Sequence, residues 1–185
     1  MPPSSPPSFE HWRRSPAPPS QWLERLSLAG GAFAGGHCRA VLFVGEFSYR
    51  LGEKLQHFAG QEGMNFVLFD VAIAAGGMKG AKWERFKTKA RQGGFGPEKS
   101  TLAALRGFYA GGSEAWMTES TAQLVELIES ASAAEGHKLM PVIVLTPKEL
   151  EQVPDPVRDR CSLIACDNGP LPAPPPPTPL ADVDF

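Results

Sequence analysis

The hydrophobic positions of this chain fall into short apolar runs separated by stretches of helical period. Ala40–Val44 is an unbroken apolar run of strand length, and Phe66–Ile73 is a second, interrupted by Asp70. Leu139–Leu145 is a third, rich in β-branched residues, and Ser162–Ala165 is a fourth. Around them the spacing changes to that of helices. Gln21–Leu28 places Trp22, Leu23 and Leu26 on one side, behind Ser20 as a cap. Ser48–Phe58 carries a stripe of Leu51, Leu55 and Phe58. Lys82–Arg91 reads as a charged helix stopped by Gly93-Gly94. Ser100 predicts the cap of a helix running through Tyr109 and ended by Gly111-Gly112. Thr118 or Ser120 predicts the cap of the next, whose apolar face is Leu124, Leu127, Ile128 and Ala131 and which stops at Gly136. Pro147–Gln152 starts a short helix, and residues 75–138 contain no convincing strand. The whole implies an α/β fold: a small mixed or parallel sheet of about four strands with covering helices.

Composition sets the borders. The 19 prolines cluster at the two ends. Residues 1–20 form a Pro/Ser-rich leader that cannot build a core and is expected to be disordered. Residues 169–185 form a Pro-rich tail with an acidic tip ending in Phe185, and residues 21–168 make a single domain. Proline-rich arms are also a route to a protein partner. The net charge of -2 supplies no global field toward nucleic acid or membrane, so any such attraction is local. Three cysteines, Cys38, Cys161 and Cys166, are an odd number without a C-x-x-C pair. They read as reduced, buried thiols of a cytoplasmic protein. No signal-peptide pattern and no run of eighteen apolar residues is present, so no transmembrane segment is expected.

The candidate chemistry begins at Gly35-Gly36-His37-Cys38-Arg39. Glycine lets a backbone approach an anion closely, and arginine grips phosphate with a rigid fork of donors. Gly36-His37-Cys38-Arg39 is a G-x-x-R pattern and resembles the phosphate-binding signature of the ParB/sulfiredoxin superfamily. Sulfiredoxins carry the same residue types with His and Cys exchanged. The resemblance implies that Gly35, Gly36 and Arg39 hold a nucleotide phosphate, ATP among the cofactors, at a helix N-terminus. It also implies relatives that partition DNA, cleave it, or inhibit plasmid fertility. The test is local: a helix starting at Arg39 makes the cradle, whereas a strand at Ala40 moves attention to Gly45 and Glu46. The plain alternative is a glycine-rich turn before a strand.

Val41–Gly52 is similar to the first strand, glycine turn and helix of Rossmann-type methyltransferases. That resemblance implies S-adenosylmethionine bound over Gly45, with Asp70 at the end of the second strand on the ribose. The further glycines of the fingerprint are missing. No Gly-Lys-Ser/Thr phosphate loop occurs either. Val153–Cys161 nevertheless resembles the Pro-x-x-x-Arg-x-Arg-Cys stretch of clamp-loader ATPases, and it is read here as a loop plus a capped turn. The final Asp182-Val183-Asp184-Phe185 resembles the acidic, Phe-ending tips of single-stranded DNA-binding proteins.

Residues 79–99 hold seven cations, including Lys79, Lys82, Arg85, Lys87, Lys89 and Arg91, against two acids. Trp83, Phe86 and Phe95 are interleaved. Cations track a phosphate backbone and aromatics stack on unpaired bases. The alternative is a solvated helix face with Trp83 and Phe86 turned to the core. Glu46 and Asp70, each closing an apolar run, are the candidate carboxylates for holding a divalent metal or activating water, with His37 as a general base. The expectation is a protein acting on DNA or nucleotide phosphate, single-stranded DNA included, with nuclease or ATPase activity and a role in plasmid or DNA transfer. The alternatives are a reduced methyltransferase-like domain and a non-catalytic adaptor.

Overall fold

The computed structural model describes residues 21–36, 39–46, 48–93, 95–133, 138–167, 169 and 171. His37, residues 1–20 and residues 172–185 lie outside them. Five strands build one sheet: β1 (Ala40–Val44), β2 (Asn65–Asp70), β3 (Ser100–Arg106), β4 (Lys138–Leu145) and β5 (Cys161–Ala165). All four strand pairings are parallel, and the order across the sheet is β2-β3-β4-β1-β5. The helices are α1 (Trp22–Ala34), α2 (Ser48–Gln61), α3 (Ala81–Gln92), α4 (Glu114–Ala133), α5 (Pro147–Leu150) and α6 (Asp155–Arg158). A short 3-10 turn, Gly77–Lys79, leads into α3.

The sheet has helices on both faces, which is why its middle strands read as continuous apolar runs. In β1, Val41 and Phe43 face α1 and α2, joining Trp22, Leu26, Leu51, Leu55 and Phe58. Ala40, Leu42 and Val44 face the other way, toward a larger core with Trp83 and Phe86 of α3, Leu124 and Ile128 of α4, and Val157 of α6. Burying a large apolar side chain contributes about 1.5–3 kcal/mol, so these two cores carry the fold.

Two expectations are corrected here. Ser100–Arg106 is a strand, not a helix capped by Ser100. It lies between β2 and β4 with residues 101–105 all buried. A strand covered on both faces loses the alternation that would reveal it, and Ala103 and Ala104 carry no β signal of their own. The sheet therefore has five strands, not four. Helix α4 also begins earlier than either cap candidate: Ser113 Oγ accepts from the Trp116 N–H at 3.1 Å. Ser120 lies inside the helix, buried, donating to the Phe108 carbonyl at 2.6 Å.

Candidate nucleic-acid interface

Of the Gly35–Arg39 segment, Gly35, Gly36 and Arg39 are described, and the two glycines end a helix instead of opening one. The Gly35 N–H donates to the Gly31 carbonyl and the Gly36 N–H to that of Phe33, closing the C-terminal end of α1. With φ of +80°, Gly36 takes a left-handed conformation suited to such a stop. Ala40 then opens a strand, so Arg39 stands at no helix N-terminus. Its Nη1 pairs with Glu129 at 3.1 Å, and Arg160 holds the same carboxylate at 2.7 Å. The bond from Arg160, foremost, holds the Glu129 carboxyl below its usual range.

At the opposite rim, the C-terminal ends of the strands, β1 passes to α2 through three residues. Gly45 is buried there, and a Cβ on it would lie 2.7 Å from a Leu51 methyl and 3.1 Å from the Cys166 carbonyl. Glycine at this position is required by close packing. Glu46 is exposed at this turn. Asp70 closes β2 at the edge of the sheet, three strand spacings from β1, or about 14 Å. In a dinucleotide fold the first two strands are neighbours, which brings the acid to the ribose. Here β4 and β3 intervene, so neither a ribose clamp nor a shared metal site joins Glu46 to Asp70. Asp70 instead accepts from Arg106 Nε at 2.8 Å and from the Ala72 N–H at 3.0 Å. Among the described residues no group of three His, Cys, Asp or Glu could hold a metal ion.

Between the β3–α4 and β4–α5 connections lies an open crevice of 740 Å³ with Tyr109, Met117, Thr146, Lys148 and Glu149 in its wall. Thr146 Oγ1 accepts from the Glu149 N–H at 3.2 Å and caps α5. Burial, with a contribution from Asp70, raises the Glu149 carboxyl above its usual range. Burial pushes the Tyr109 phenol up to about 12, although its bond to Thr121 opposes this. None of these residues stood out in the sequence, because their neighbours come from separate connections.

The basic segment divides cleanly. Trp83 is fully buried and Phe86 stacks on it at 5.5 Å, so the aromatics belong to the core and not to a base-stacking surface. Phe95 packs on Phe86 at 5.3 Å. Lys87 is turned inward: its Nζ lies 3.0 Å from Gln123 Oε1, 3.0 Å from Glu84 and 5.8 Å over the Trp83 ring. Arg91 pairs with Glu126 of α4 at 2.9 Å. That leaves Lys79, Lys82, Arg85, Lys89 and Lys99, all exposed and none paired with a carboxylate among the described residues; the first four lie in and just before α3. Positions 82, 85 and 89 share one face of α3 and span about 10 Å along its axis. Lys79, in the turn before the helix, also borders a separate cavity of 490 Å³ walled by Met78, Ser113, Ala115, Trp116 and Glu119.

No helix among the described residues is long and apolar enough to cross a membrane. No protein-family model, no curated protein and no solved structure matches this chain.

Proposed function

We propose that this protein binds nucleic acid through the phosphate backbone, along the outer face of α3. The observation that carries the reading is the stripe of Lys79, Lys82, Arg85 and Lys89, exposed and without carboxylate partners among the described residues, in a chain whose net charge is -2. Cations left facing solvent together concentrate a local positive potential, and phosphate contacts of this kind supply most sequence-independent affinity. The reading is of binding and not cleavage, because Glu46 and Asp70 stand on strands too far apart to act on one phosphodiester. The test is fluorescence anisotropy with a labelled 15-mer oligonucleotide at 50 mM salt. Replacing Lys82, Arg85 and Lys89 by Gln is expected to weaken binding more than tenfold. Unchanged affinity in that variant refutes the proposal.

A further inference from the structure

The cavity beside Lys79 has no role in holding a phosphate backbone, yet it opens where the cation stripe begins. Its wall combines an aromatic ring, a thioether and a few polar groups, the make-up of a small-ligand site, and its 490 Å³ is within the range of such sites. The ring is held still. Trp116 Nε1 donates to the Phe108 carbonyl at 2.9 Å, and a Cβ at Gly77 or Gly111 would touch the indole at 3.4 Å. Met78 is buried and lines the same cavity. The polar groups differ in kind. Lys79 donates only, whereas Ser113 Oγ already accepts from the Trp116 N–H and keeps a proton to donate. Glu119 accepts from Gln123 Nε2 at 2.9 Å through one oxygen, and its other carboxylate oxygen has lone pairs for an N–H donor.

Resting on the nucleic-acid reading above, the geometry points to a pocket for one unpaired base. The base of a strand lying along α3 enters between Trp116 and Met78, while Lys79 meets the phosphate at its mouth. A base offers a flat apolar body with N–H donors and ring acceptors on its edge, which matches this wall. A duplex keeps its bases stacked inside and cannot fill the site. The protein therefore prefers single strands, although its cation stripe alone does not distinguish them from duplexes.

The experiment compares a labelled 15-mer single strand, the same single strand with abasic positions, and a 15-bp duplex. Ala115, exposed on the first turn of α4 and part of the cavity wall, is replaced by Phe to fill the space, with Ala115→Ser as the size control. Wild-type protein is expected to bind the intact single strand about tenfold more tightly than either the abasic strand or the duplex. Ala115→Phe is expected to lose that tenfold and leave duplex binding unchanged, while Ala115→Ser behaves as wild type. Equal affinity of wild type for intact and abasic strands overturns the pocket, and so does an Ala115→Phe variant that keeps the preference. Should Ala115→Phe fail to fold, the abasic comparison on wild-type protein decides alone. If instead the Lys82, Arg85 and Lys89 variant binds every probe as wild type does, the phosphate reading falls and the pocket falls with it.

Discussion

Lys54 and Asp167 make a sharp test of the packing because their two ends differ in solvation. Lys54, in the middle of α2, is 1% exposed, and its Nζ lies 3.0 Å from both the carbonyl and the Oδ1 of Asp167. The ammonium also sits 5.0 Å over the Trp22 ring. The Asp167 side chain, just past β5, is 38% exposed. Removing the carboxylate leaves a buried ammonium with one carbonyl and a ring face. Breaking a fully buried pair in this way costs about 3–5 kcal/mol. The retained carbonyl bond and the partial exposure of Asp167 reduce this, so Asp167→Ala is expected to cost about 2–3 kcal/mol. Removing the lysine instead leaves a carboxylate that water can reach. Lys54→Met fills most of the same volume with an apolar chain, so it is expected to stay within about 1 kcal/mol of wild type. The double variant should match Lys54→Met, because no buried charge remains. The assay is urea denaturation of the four proteins, followed by circular dichroism. At about 2–4 °C per kcal/mol for a chain of this size, Asp167→Ala also melts roughly 5–10 °C lower. If Lys54→Met proves as costly as Asp167→Ala, the asymmetry of solvation is not what governs this pair.

Further expectations concern binding, backbone and pH. With four phosphate contacts, single-strand affinity should fall with a log–log salt slope of about -2.8, or about 50-fold from 50 to 200 mM salt. The variant lacking the three α3 cations should lose only about threefold over the same range, and parallel slopes in an anisotropy titration would contradict the stripe. Gly107 has φ of +88°, and a Cβ there would lie 2.5 Å from Asp70 Oδ1 and 2.8 Å from the Ala72 nitrogen. Gly107→Ala is therefore expected to destabilise by about 1–3 kcal/mol, and an unchanged urea midpoint would contradict it. Desolvation by burial, foremost, pushes the Cys166 thiol up to about 12, as it does the Tyr109 phenol. The unfolded groups ionise near their ordinary 9 and 10 while the folded ones stay neutral, so the unfolded state binds fewer protons in that window. Stability is full below pH 9 and is lost as pH rises toward 12. Urea midpoints at pH 7, 9 and 10.5 should fall in that order, and Cys166→Ala should lessen the fall.

Periodicity alone located most of the elements. Ala40–Val44, Leu139–Leu145 and the stripe of Leu51, Leu55 and Phe58 are visible because their burial is written in apolar spacing. The face shared by Lys82, Arg85 and Lys89 was legible for the same reason, since helical period alone puts those positions together. Ser100–Arg106 was not legible, because a strand buried on both faces has no polar side to mark its period. The inward turn of Lys87 was hidden as well, because its partner Gln123 lies 36 positions away on another helix.

The sequence by itself therefore determined an α/β chain with a basic helix. Only the tertiary structure decided what each candidate residue could do. Strand order is set by nonlocal pairing, and it put β4 and β3 between the Gly45 turn and Asp70, separating two residues that a Rossmann order would have brought together. It closed the Gly35 and Gly36 N–H groups into a helix end and left Lys79, Lys82, Arg85 and Lys89 facing water. The physical reason is common to both outcomes. Local spacing fixes which side of an element a residue occupies, whereas the partners that neutralise or expose it come from elements distant in the chain.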